Sequence, residues 1–398
     1  MKIKLSFVTC LLGVFAQVNA QEISIPTIFS DAEKQTEVMI REIAIAKQGK
    51  PELVSPRTLE NGQLKLTPSK DWVSGFFPGE LWYLYEYTHD KKWLEQAKAF
   101  TANIEKEKTN AGTHDMGFKI YCSIGNGYRL TKDSHYKEVI LQSAKTLSTR
   151  FNKTAGVIRS WDYREKWKYP VIIDNMMNLE LLFEATKLSG DSSFYRIAVS
   201  HANNTMKNHF RPNFSSYHVV GYDSVHGGVI NKTTHQGYAD NSAWARGQGW
   251  GLYGYTMCYR ETKDPIYLKQ AENIAKFILN NKNMPKDMVP YWDFDAPKIP
   301  NEERDASAGS LIASALYELA GYSKNNKQYI AAADKIMASL TNAYRSLIGE
   351  NKGFILLHST GSRPSNSEVD VPLNYADYYY LEALLRQNAI AKRATKRK

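Results

Sequence analysis

The chain has 398 residues, 43% hydrophobic and 12% aromatic, and beyond its first twenty nothing approaches the ~18 uninterrupted apolar residues of a membrane span, so no membrane anchor is expected. Its formal charge of +10, or +8 after loss of Lys2 and Lys4 with a leader, favours anionic partners. Nucleic acid is set aside: the basic residues are dispersed, no recognised binding motif is present, and the one dense basic run, 392–398, reads as a solvated end. Aromatics among polar loops fit an acidic carbohydrate better.

Residues 1–20 form an export signal: a basic start at Lys2 and Lys4, an apolar run over 5–15, and the small-residue site Val18-Asn19-Ala20. The mature chain is expected to start at Gln21, as a single domain over 21–398, in the periplasm or secreted. Cys10 falls in the leader, and Cys122 and Cys258 lie in helical patterns as buried thiols rather than a bridge. A first helix is expected near 31–47. A cassette then recurs: a helical pattern, a tight turn with Asp or Asn, and an aromatic three residues later that opens a second helix. It appears at Asp90 with Trp93, Asp133 with Tyr136, Asp191 with Phe194, Asp264 with Tyr267, and Asn326 with Tyr329. Asp or Asn at such a turn caps the next helix.

The helices before the turns (75–87, 116–130, 176–188, 245–259, 306–322) are rich in apolar and small residues; those after them, such as 91–106 and 267–280, are amphipathic. The first set is expected inside and the second outside. With a last helix near 375–387 the count is about twelve, the content of an all-α, (α/α)6 barrel. Of a few short strand patterns, 353–358 is the best. If the short turns share one rim, the other rim gathers the inner-helix starts and the long loops 71–75, 112–116, 161–174, 208–244, 284–305 and 358–374, where function is expected.

Asp115 and Asp174 each start an inner helix on that rim. A lone Asp there is a cap; two on a rim that also carries Trp and Arg motifs point to paired chemistry. The helix dipole favours their charged forms, whereas burial or mutual repulsion raises a pKa. The segment Gln236 to Trp250 sets Arg246 between Trp244 and Trp250 among glycines, which suits a sugar carboxylate, with pairing of Arg246 to a structural Asp as the alternative. His114, His218, His226 and His235 are placed on the same side. The chain has no His-Glu-x-x-His pattern, Cys cluster or Gly-x-Ser-x-Gly elbow, so neither a metal, another cofactor nor a serine nucleophile is expected.

Together Trp72-Val-Ser-Gly-Phe-Phe-Pro-Gly79, His114-Asp-Met-Gly-Phe118, Asp174-Asn-Met-Met-Asn-Leu179, Trp244-Ala-Arg-Gly-Gln-Gly-Trp250 and Tyr375-Ala-Asp-Tyr-Tyr-Tyr-Leu-Glu-Ala-Leu384 resemble the unsaturated glucuronyl hydrolases, glycoside hydrolase family 88. The related rhamnogalacturonyl hydrolases, which act on pectin fragments, usually have Asn where Gln248 stands. A non-catalytic glycan-binding barrel is the alternative from another class. The resemblance implies removal of a 4,5-unsaturated glucuronic acid from lyase-generated fragments of chondroitin, hyaluronan or heparin. It implies that Asp174 is acid and then base, that Asp115 holds substrate hydroxyls and helps keep Asp174 protonated, and that Trp72 and Trp250 stack on sugar rings. His114, His218, Gln236 and Arg246 would contact the uronate or the water, with Trp161 as a further wall. In the loop 363–370, where relatives hold a sulfate, this chain has no Lys, leaving Arg363, Ser365 and Ser367 for that contact.

Overall fold

The computed structural model describes residues 24–162 and 166–396; the expected export signal with its cleavage site, and part of the loop 161–174, lie outside them. Among the described residues twelve α-helices alternate between an outer and an inner layer. The outer ones are α1 (Ile25–Ala46), α3 (Lys91–Ala102), α5 (Ser134–Ser148), α7 (Ser192–His209), α9 (Pro265–Leu279) and α11 (Asn326–Ala343). The inner ones are α2 (Phe76–Thr88), α4 (Asn126–Thr131), α6 (Leu179–Ser189), α8 (Ala245–Thr262), α10 (Ala306–Ala320) and α12 (Asn374–Lys396). A π-helical stretch, Gly117–Gly125, runs straight into α4, and a 3-10 turn, Ile173–Asn178, into α6. With the π-helical stretch counted as part of the α4 element, each inner helix packs on the next and α12 packs back on α2, which closes the (α/α)6 barrel. None of the described helices is long and apolar enough to cross a membrane.

Local chemistry explains the hairpins. Helices α2, α4, α6 and α8 stop at a left-handed residue, His89, Lys132, Gly190 and Lys263. In each case the next residue is an Asp whose carboxylate accepts a backbone N–H of the following helix: Asp90 from Lys92, Asp133 from His135, Asp191 from Ser193, Asp264 from Ile266. The fifth cassette is one residue out, because α11 is preceded by Asn325, whose side chain makes no capping bond. Trp93, Phe194, Tyr267 and Tyr329 are buried and Tyr136 is half-buried, so the aromatics pin the outer helices to the core. Inner helices lose almost all exposure, as α10 shows from Ala306 to Tyr317. Cys258 is buried, Cys122 half-buried, and both are free thiols.

Among the described residues seven short strands accompany the helices: β1 (Leu53–Glu60), β2 (Gln63–Pro68), β3 (Phe151–Asn152), β4 (Val157–Ile158), β5 (Pro170–Ile172), β6 (Val219–Tyr222) and β7 (Val229–Thr233). The strand expected at 353–358 does not form. Gly353 ends a 3-10 turn, and only Leu356 makes a bridge, to Arg345. The N–H groups of Ile355 and Leu356 bind the Asp377 carboxylate at 2.8 Å each, so a helix side chain satisfies donors that a neighbouring strand would otherwise take.

Candidate active site

The sheet β5-β6-β7 builds the centre of the site. Antiparallel pairing sets Ile172 opposite Val219, and the Ile173 N–H donates to the His218 carbonyl at 3.0 Å. Asp174, one residue past that junction, therefore meets the His218 ring, with Nε2 to Oδ2 at 3.6 Å. Nδ1 of His218 accepts the backbone N–H groups of His235 (3.1 Å) and Gln236 (3.0 Å). The ring proton thus sits on Nε2, facing Asp174. Burial holds His218 well below its ordinary pKa, so it is the neutral imidazole that faces the carboxyl.

Asp174 is 7% exposed, and its Oδ2 and His218 Nε2 have no hydrogen-bond partner. Its carboxyl is pushed up to about 7, chiefly by burial; Arg246 opposes the shift and Asp115 adds to it. The sequence-based expectation gave Asp115 a part in this effect, and burial turns out to dominate it. Asp115 stands in the turn before the π-helical stretch. Its Oδ2 accepts from Thr113 at 2.7 Å, and His114 Nε2 lies 3.1 Å from its Oδ1. Burial lowers the pKa of His114. Gly117 brings the two inner-helix starts together: its N–H donates to Asn178 Oδ1 at 2.7 Å, and a Cβ on it would lie 2.6 Å from Asn178 Cα.

The walls depart from expectation at two residues. Trp250 is fully buried, covered by Phe118 (5.1 Å between centroids) and Tyr379 (5.6 Å), so it is a floor rather than an open stacking face. Its Nε1 has no hydrogen-bond partner, yet the indole draws the Asp174 pKa down. Arg246 is 1% exposed and tied down: Nη1 to Asp305 (2.7 Å) and the Thr360 carbonyl (2.6 Å), Nη2 to the Gly361 carbonyl (2.6 Å). This is the alternative of a structural Asp partner, with only Nε unpartnered.

Half-buried Trp72 packs its ring at 5.4 Å on Phe118 and 5.0 Å on Tyr375. Half-buried Trp161 lies edge-on to His218 at 6.5 Å and His235 at 5.3 Å, with Trp167 alongside. Gln236 donates to the Gly361 carbonyl at 3.1 Å, and buried Gln248 clasps Ser216 through its N–H (3.0 Å) and hydroxyl (2.9 Å), steadying the approach to His218. In the rim loop Arg363 pairs with Glu303 at 3.1 Å; Ser365 and Ser367 are exposed, Ser365 bonding Ser362 at 3.1 Å. His226 sits at the exposed tip of the β6-β7 turn with Asp223 and joins none of these contacts.

Sequence reasoning passed over Asp305, Asn175, Asn178 and Trp167. Asp305 and Asn178 carried a signal, since each immediately precedes an inner helix on the rim that holds Asp115 and Asp174. Among the described residues no group of three or more His, Cys, Asp or Glu side chains is placed to hold a metal ion.

Residues 51–386 match the model of Glycosyl Hydrolase Family 88. The chain belongs to this family. It is therefore a glycosidase of the kind that acts on unsaturated glucuronyl groups. An unsaturated glucuronyl hydrolase of Formosa agariphila is 54% identical over 329 residues, 82% of each chain. An unsaturated chondroitin disaccharide hydrolase of Streptococcus pneumoniae is 32% identical over 346 residues, 85% of this chain and 86% of the other. The crystal structure of an unsaturated glucuronyl hydrolase specific for heparin is 46% identical, with a TM-score of 0.86, covering 92% of this chain and 98% of that one. This family 88 chain thus shares its fold with the heparin-specific enzyme and aligns over more than four-fifths of each of these relatives.

Proposed function

We propose that this family 88 hydrolase hydrates the C4=C5 bond of an unsaturated glucuronic acid at the non-reducing end of a glycosaminoglycan disaccharide or oligosaccharide, with Asp174 as acid and base. The observation that carries this is a buried carboxyl held near pH 7, with an unpartnered Oδ2 facing a neutral imidazole. A carboxylic acid at that pKa is about half protonated at neutral pH, so it can give a proton and take one back readily. The proton passes from Asp174 to C4, and the positive charge that develops at C5 is shared with the ring oxygen. Water attacks C5 and gives its proton to the Asp174 carboxylate. The resulting hemiketal opens to a ketone at C5, which leaves a hemiacetal at C1; its collapse to the aldehyde breaks the C1–O bond to the next sugar, which leaves with the hydroxyl proton. This route bypasses the displacement at the anomeric carbon that ordinary two-carboxylate glycosidases use.

In this reading Asp115, fixed by Thr113 and His114, accepts substrate hydroxyls, and His218 Nε2–H orients the water or the uronate. Trp72 and Trp161 flank the sugar, and Gln236 lines the site. Trp250 contributes from the floor, and Arg246, already paired, supplies positive charge rather than direct contact. The loop of Arg363, Ser365 and Ser367 faces the next sugar. A heparin-type disaccharide is the first substrate to try, given the 46% identical enzyme specific for heparin. Residues 1–20 are proposed to direct export to the periplasm; osmotic-shock fractionation checks this.

Turnover in D2O tests the mechanism. One deuterium per product at C4 is expected, and in H2-18O no label on C1; label at C1 with an intact double bond would overturn it.

A further inference from the structure

Arg57, on β1, joins two parts of the rim that are far apart in sequence. Its Nη1 reaches Asp71 at 2.7 Å, while Nε and Nη2 grip both oxygens of Glu368, the Nη2 bond being 3.1 Å. Arg57 is 21% exposed and Glu368 10%. A shared cation with two carboxylates has a net negative charge, which argues against Arg57 itself receiving an acidic sugar. On one side, Asp71 accepts the Val73 N–H at 3.1 Å and so starts the turn that carries Trp72. On the other, the Glu368 carbonyl accepts the Gly361 N–H at 2.7 Å, and the Gly361 carbonyl is the acceptor for both Arg246 and Gln236. A Cβ on Gly361 would lie 2.7 Å from Glu368 Oε2, so a larger residue there would press on the side chain that Arg57 grips. Thr58, next to Arg57, anchors the far end of the same loop through Pro372 at 2.7 Å and a bridge to Leu373.

We propose that Arg57 and Glu368 form a clasp that fixes the Trp72 turn against the loop 361–368 and so shapes the place of the sugar beyond the unsaturated ring. Arg57 is then a positioning residue for substrate specificity, an assignment that rests on the function proposed above. A bidentate guanidinium pair fixes direction as well as distance, which a single lysine charge does not.

The test compares R57Q, R57K and E368Q with the wild-type enzyme on two substrates, an unsaturated disaccharide and an unsaturated glucuronide with a methyl aglycone. Hydrogen exchange over 361–368 is followed in parallel. For R57Q and E368Q, KM for the disaccharide is expected to rise roughly tenfold with kcat within about twofold, while the methyl glycoside shows a clearly smaller rise. R57K should fall between, and exchange at 361–362 should quicken. E368Q serves if R57Q does not fold. An unchanged KM for the disaccharide, or an equal loss on both substrates, overturns the clasp. If the wild-type enzyme consumes neither substrate, the proposed function fails; the clasp still stands if exchange quickens in R57Q and falls if it does not.

Discussion

At the scale of single residues the account turns on Asp174. Its proton is lost as pH rises through about 7, so kcat/KM is expected to fall on the alkaline side of that value, as a pH–rate profile would show. Asp174→Asn should lower kcat by about 10²–10⁴-fold. Because burial outweighs Asp115 in raising this pKa, Asp115→Asn should move the alkaline limb only slightly to lower pH while raising KM. Stability follows with a definite sign. The folded state holds this proton above the ordinary carboxyl value of 3.8, so the group's contribution is complete at low pH and is lost as pH rises through about 7. Asp174→Asn should therefore raise Tm relative to wild type more at pH 8.5 than at pH 5, checked by thermal unfolding at both. Much of this site was legible: Asp115, Asp174 and the Trp-Arg motif stand at helix starts, where capping residues converge. The partners of Arg246 were not, since Thr360 and Gly361 contribute carbonyls that any residue type carries.

At the scale of elements, the caps give the cleanest contrast. Replacing Asp191, whose carboxylate accepts the Ser193 N–H at 2.8 Å, by Ala should cost about 1 kcal/mol. Asn325→Ala, which removes no capping bond, should cost much less by urea denaturation. The inner and outer helices were readable because each layer has its own hydrophobic pattern and the Asp turns repeat. The strands were hidden for different reasons. The hairpin β1-β2 turns on Asn61-Gly62, both at positive φ in a two-residue loop, a strong hairpin signal that was passed over in favour of the helical cassettes. In the sheet β5-β6-β7 the pairing of β5 with β6 joins segments about fifty residues apart, and such pairing has no local trace in the sequence. The segment after Gly353 had the apolar composition of a strand, but Asp377 met its donors first.

At the scale of the whole molecule, the ring of inner helices holds Asp115 and Asp174 on one rim because each starts an inner helix there, and β5-β6 pairing adds His218. The positive net charge predicts that kcat/KM for a sulfated disaccharide falls with rising salt more than for an unsulfated one. The most direct measurement follows the ultraviolet absorbance of the conjugated double bond. The wild-type enzyme and Asp174→Asn are mixed with unsaturated disaccharides from heparin, chondroitin, hyaluronan and pectin rhamnogalacturonan. The account predicts loss of absorbance with at least one glycosaminoglycan disaccharide, none with the pectin fragment, and none with Asp174→Asn. No loss from any glycosaminoglycan disaccharide with folded wild-type protein, or full activity in Asp174→Asn, would contradict it.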